Sequence, residues 1–170
     1  MGNVAPLQGI EKLMTIMKLS VSALALLIFG VVANAQEMAT CKEPQGYAFY
    51  PYKGLNKKET AGWEKDGISG GIFSLKRLNA DEWDILFIDT TKSIRSSKHE
   101  GGIIKLLRAA EKEMTFLVYY PGSTLEIFTF LQEKDGKNSF HVITSKGGDT
   151  AFLPKSSILV GTCGQIQFLK

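Results

Sequence analysis

The sequence predicts an all-β domain. The expected form is a small antiparallel meander of about seven or eight strands, rolled into a closed or partly closed barrel, with a two-layer β-sandwich as the alternative. Three observations carry this. Short apolar or alternating runs recur along the chain and are separated by turn signals such as Asn79-Ala80-Asp81-Glu82, Pro121-Gly122 and Asp135-Gly136. The links between runs are mostly short, which favours neighbouring antiparallel strands. Several runs are apolar on both faces, which suits a barrel or two packed layers better than a single solvated sheet.

The chain has 170 residues, and its first part reads as an address rather than a fold. Leu19–Ala33 is an apolar run followed by Ala33-Asn34-Ala35 and then Gln36. Small residues at −3 and −1 after a short apolar stretch are the pattern of a signal-peptidase site, because the pockets for those two side chains are shallow. The run is short for a membrane span, which needs about 20 apolar residues. Residues 1–35 are therefore expected to be a signal peptide, and 36–170 a single exported β-rich domain, periplasmic or secreted, with no membrane span after cleavage. Met17-Lys18 would supply the basic start of such a signal, so Met14 and Met17 compete with Met1 as the true start.

Hydrophobic residues make up 44% and charged residues 22% of the chain, which is globular composition and excludes a disordered tail protein. A net charge of +3 is too weak to argue for nucleic acid as a partner.

The strands follow in order. Gly71–Leu78 places Phe73 and Leu75 on one side, and Trp83–Asp89 is apolar on both. Thr90–Gly102 is polar and reads as a loop. Ile103–Arg108 suits a strand or one side of a short helix, and the strand is favoured by the clear alternation of Met114, Phe116 and Val118 in Glu113–Tyr120. Thr124–Leu131 and Lys137–Ser145 form the strongest hairpin, turning at Asp135-Gly136. Ser157–Cys163 and Gln165–Phe168 supply the last strand or strands, with a break at Gly164. This layout is similar to small exported β-barrel proteins such as lipocalin-like binders and periplasmic lysozyme inhibitors. The similarity is architectural and transfers no residue.

The only cysteines are Cys41 and Cys163. An even pair in an exported chain reads first as a disulfide. It would close almost the whole mature chain into one loop, worth on the order of 5 kcal/mol by loop-closure entropy. The rival readings are a metal pair, a thiol nucleophile, and lipidation at Cys41, where Thr40 is a poor neighbour for a lipoprotein box.

No constellation points firmly to catalysis. Gly67-Ile68-Ser69-Gly70-Gly71 matches the G-x-S-x-G pattern, but that pattern needs a buried strand before it and a helix after it, and neither is expected here. Ser145-Lys146 are adjacent on a strand and so point to opposite faces. His141, in a strand, and His99, in a polar loop, have no spaced carboxylate or cysteine cluster, so the reading includes no metal and no cofactor.

The candidate contact residues are Tyr47, Tyr50 and Tyr52, in a segment with four aromatics in six residues, and Lys146, on the expected mobile loop Ser145–Thr150 freed by Gly147-Gly148. The alternative for the tyrosines is core packing across the barrel. The function expected is a non-enzymatic binding or inhibitor module of the cell envelope, its partner an envelope protein, a glycan or a small apolar ligand. The competing expectations are a hydrolase using Ser69 or Ser145-Lys146, and a structural envelope protein.

Exported protein should begin at Gln36, as read by intact mass and amino-terminal sequencing. A mature chain that retains Leu19–Val32 would instead make the protein membrane-anchored.

Overall fold

The computed structural model describes residues 35–88, 92–149 and 151–169. The apolar run expected to be a signal, the competing starts and the last residues of the Trp83–Asp89 and Ser145–Thr150 segments lie outside the described residues. Residues 35–169 fall within one compact unit, Asn34–Lys170.

The described residues form an all-β fold of ten strands with one short 3-10 turn at Lys58–Thr60. The strands are β1 (Gln36–Tyr50), β2 (Gly62–Gly67), β3 (Ile72–Arg77), β4 (Trp83–Ile88), β5 (Ile94–Ser96), β6 (Ile103–Ala110), β7 (Glu113–Tyr120), β8 (Thr124–Gln132), β9 (Asn138–Lys146) and β10 (Lys155–Ile166). All pairings are antiparallel, and the order across the sheet is β5-β4-β3-β1-β10-β9-β8-β7-β6, with β2 beside the second half of β1. The sheet is two meanders, one from each half of the chain, joined where β1 meets β10. It curls into a partly closed barrel, as the sequence predicts.

The strand count is higher than expected for two reasons. First, β1 and β2 lie where no strand is expected. β1 breaks its alternation between Lys42 and Gln45, where Glu43 takes a left-handed φ of 53°. Before that bulge β1 pairs with β3; after it, β1 pairs with β2. β2 and β3 are thus two halves of one extended segment, broken at Ile68–Gly71 opposite the bulge. The break is bridged by Ile68 N–H donating to the Pro44 carbonyl at 3.0 Å and Glu43 N–H donating to the Gly71 carbonyl at 2.9 Å. Second, β5 lies within the polar segment read as a loop. Its turn is organised by Asp84, which accepts from Ser96 Oγ at 2.6 Å and from the Lys98 N–H at 3.2 Å. In the other direction, the chain runs through Gly164 without the expected break, so β10 is a single strand. Ile103–Arg108 is a strand, and the β8–β9 hairpin lies within a residue of its expected bounds.

The inner face is aromatic. Phe116, Phe128, Phe130 and Phe140 are fully buried. Phe73 on β3 crosses the interior to Phe140 and Phe128, with ring centroids 5.3 and 5.9 Å apart, and Trp83 on β4 meets Phe116 on β7 at 4.9 Å. Ring pairs of this kind contribute roughly 0.5–1.5 kcal/mol each beyond their area burial. Gly161 on β10 lets Phe140 lie against the backbone, since a Cβ there would stand 2.3 Å from Phe140 Cε1.

The outer face is also apolar in part. Tyr47, Ile158, Ile143, Ile127 and Leu117 stand in register across β1, β10, β9, β8 and β7. This row gives the physical basis of the strands that read as apolar on both faces.

Cys41 and Cys163 are directly opposite each other on β1 and β10 and form a disulfide. Their separation of 122 residues removes much unfolded-state freedom. The Cys41→Ala/Cys163→Ala double variant should be less stable by roughly 2–5 kcal/mol in denaturant titrations. Reductant should bring the native protein down to the same level.

Candidate functional site

Side chains on a strand alternate between faces, and this period decides which residues share the barrel interior. At one end the inward positions are large and apolar: Trp83 and Ile85 on β4, Met114 and Phe116 on β7, Phe130 on β8 and Phe140 on β9 fill the space. At the other end the inward positions turn polar. They are Thr124 and Glu126 on β8, Thr144 and Lys146 on β9, and Lys155 and Ser157 on β10. These shorter or charged residues do not fill the barrel. They leave a cavity of about 710 Å³, with Phe73, Phe87, Phe128, Val142 and Leu159 lining its deeper part. A volume of this size lies within the roughly 300–1,000 Å³ range of small-molecule sites.

Glu126 is the central polar group. Its strand places it on the same side as Phe128 and Phe130, and burial pushes its carboxyl up from 4.5 to about 7, against the pull of Lys155 and Lys146. Lys155 Nζ pairs with Asp66 Oδ2 at 2.6 Å and lies 5.9 Å from the Tyr50 ring centroid. Tyr120, which also faces the cavity, is raised by burial. Glu100 at the rim pairs with Arg95 at 3.4 Å.

The residues singled out in the sequence fall in different places. Lys146 lines the cavity as the last residue of β9, not as part of a loop. The following glycines are tied down rather than free, with Gly147 N–H donating to the Ser123 carbonyl at 2.8 Å. Tyr50 is inward by parity and reaches the site through Lys155. Tyr47 is on the outer face, 53% exposed, and Tyr52 lies past the end of β1, 68% exposed. The aromatic segment is therefore split between two faces, because a strand cannot present consecutive residues on one side. On the outer face Phe49 makes an edge contact with Trp63 at 5.6 Å.

Ser69 occupies the break between β2 and β3, with a strand rather than a helix after it. It lines a shallow groove with Glu43, Lys65 and Asp66, and no histidine lines that groove. Ser145 and Lys146 face opposite sides of β9. His141 is outward, opposite Thr129 and Val160, and His99 is exposed in the turn after β5. Among the described residues no three His, Cys, Asp or Glu side chains are grouped to hold a metal ion.

Glu126 and Lys155 were not singled out from the sequence. The signal for Glu126 is present, since an acidic residue stands on the strand side that carries Phe128 and Phe130. Lys155 gives no such signal.

No protein-family model matches this chain, and no curated protein or solved structure matches it.

The raised Glu126 carboxyl has a consequence for stability. Its folded-state value exceeds its unfolded value, so between about 4.5 and 7 the folded state holds the proton more tightly. Stability then falls as pH rises through that window, and above it the penalty is fully present. The loss attributable to Glu126 should be on the order of 2–4 kcal/mol. Chemical denaturation of Glu126→Gln should lack this component of the pH dependence.

Proposed function

We infer that the exported domain is a non-enzymatic binding module that holds one small apolar ligand in the open end of its barrel. The observation that carries this reading is the cavity of about 710 Å³, apolar in depth and polar at its mouth. A filled barrel has side chains throughout its interior, whereas a ligand-holding one leaves room at the end where inward residues are small or polar. Here the change occurs along the same strands, between Phe128 and Glu126 on β8 and between Val142 and Thr144 on β9. The disulfide supports an oxidising compartment and hence export. Of the partners considered, a small apolar ligand suits a cavity at the open end of a barrel, while an envelope protein or a glycan would need the exposed faces.

The hydrolase alternative has less behind it. Ser69 stands outside this cavity, and Ser145 faces away from Lys146.

A neutral apolar fluorophore such as N-phenyl-1-naphthylamine should bind the mature domain one-to-one and gain fluorescence. Thr144→Phe, which fills the cavity from β9, should weaken that binding at least tenfold while the circular dichroism spectrum stays unchanged. Failure of the folded domain to bind any apolar probe would remove the reading. Hydrolysis of ester substrates that disappears in Ser69→Ala would replace it with the enzyme.

A further inference from the structure

We propose that the ligand is an amphiphile with an anionic head, captured by Lys146 at the cavity mouth and admitted or rejected according to the protonation of Glu126. This rests on the cavity reading above and names the chemistry of its ligand.

The polarity of the cavity sets the direction of entry. Phe73, Phe128, Val142 and Leu159 form the deep wall, and Thr124, Thr144 and Ser157 lie nearer the mouth with Glu126. An apolar tail gains by burial at the deep end. A polar head placed there would lose its water without gaining a partner, which is costly. The head therefore stays among the hydroxyls, where Thr124, Thr144 and Ser157 can donate to its oxygens.

The charges at that level decide its sign. Lys155 is compensated by Asp66, and Glu100 by Arg95. Lys146 forms no ion pair among the described residues, and Glu126 feels the charge of Lys155 first and of Lys146 second. Tyr120 completes the ionisable groups facing Glu126, and its raised phenol stays neutral well above neutrality. With a proton on Glu126, Lys146 is left uncompensated and the carboxyl can donate a hydrogen bond to an anion. Without that proton, Glu126 offsets Lys146 and repels an anion directly. Burial places this change at about 7. Binding of an anion must in turn draw a proton onto Glu126, by linkage.

Calorimetric titration of the mature domain with decyl sulfonate, decanol and decyltrimethylammonium, all below their micelle concentrations, separates the possibilities. The sulfonate head does not itself titrate in this range. Decyl sulfonate should bind tightest of the three at pH 6 and lose roughly tenfold in affinity by pH 8.5, a change of about 1.4 kcal/mol. At pH 7 its binding should take up protons from the buffer. Glu126→Gln should bind it equally at both pH values, and Lys146→Met should reduce it to the level of decanol. Equal binding of decanol and decyl sulfonate at both pH values, or preference for the ammonium, overturns the anionic head and leaves the cavity reading standing. A pH dependence that survives in folded Glu126→Gln overturns the gate. If none of the three ligands binds folded protein, the cavity reading itself fails.

Discussion

The pairing of β1 with β10 is the constraint on which the rest of the fold depends. Each half of the chain can form its own meander from local hairpins, but neither meander encloses a core. Joining them along β1 and β10 gives one sheet long enough to curl, and only then do Phe73 and Trp83 from the first half reach Phe140 and Phe116 from the second. This contact spans nearly the full length of the described residues, so it carries a large loop-closure cost. The Cys41–Cys163 disulfide lies within this pairing and reduces that cost by restricting the unfolded chain. The bulge at Glu43 serves the same junction. It lets one strand take β3 as neighbour on one side of the bend and β2 on the other.

The open end follows from the same geometry. Four adjacent strands, β7 to β10, change the character of their inward residues at about the same level, while Phe73 on β3 and Phe87 on β4 stay apolar. Tyr120 follows Val118 on β7, Glu126 precedes Phe128 on β8, Thr144 follows Val142 on β9, and Ser157 precedes Leu159 on β10. A change in one strand would be a local defect. The same change in four adjacent strands makes a mouth. Burying a carboxyl at this mouth opposes stability once it ionises, and two lysines only partly offset this. Binding sites commonly carry such a cost, because groups arranged for a ligand are not those that best stabilise the empty fold.

Much of the fold was legible in the sequence, because its strands from β6 to β9 follow simple rules. Alternation in Glu113–Tyr120 and the Asp135-Gly136 turn specify strands and register locally. β1 was not legible, since its bulge at Lys42–Gln45 interrupts the period and Pro44 reads as a break. β2 was hidden by its charges, Glu64, Lys65 and Asp66, which an edge strand tolerates and a central one does not. The site was legible only in part. Lys146 is where chemistry would place a contact, but its proposed role comes from sharing the inward side with Glu126, opposite Thr124, and that placement depends on β8–β9 register. Tyr47, Tyr50 and Tyr52 looked like one surface in sequence, and strand alternation divides them. Lys155 enters the site through the β9–β10 pairing and leaves no local trace.

The proposed ligand enters the barrel at its open end and does not lie on the apolar outer face. Amide and methyl chemical-shift mapping during titration with decanol tests this directly. The account predicts shifts concentrated at Thr124, Glu126, Val142, Thr144, Ser157 and Leu159. Shifts confined to Tyr47, Trp63, Ile143 and Ile158, with the inward residues unmoved, would contradict it and assign binding to the outside of the sheet.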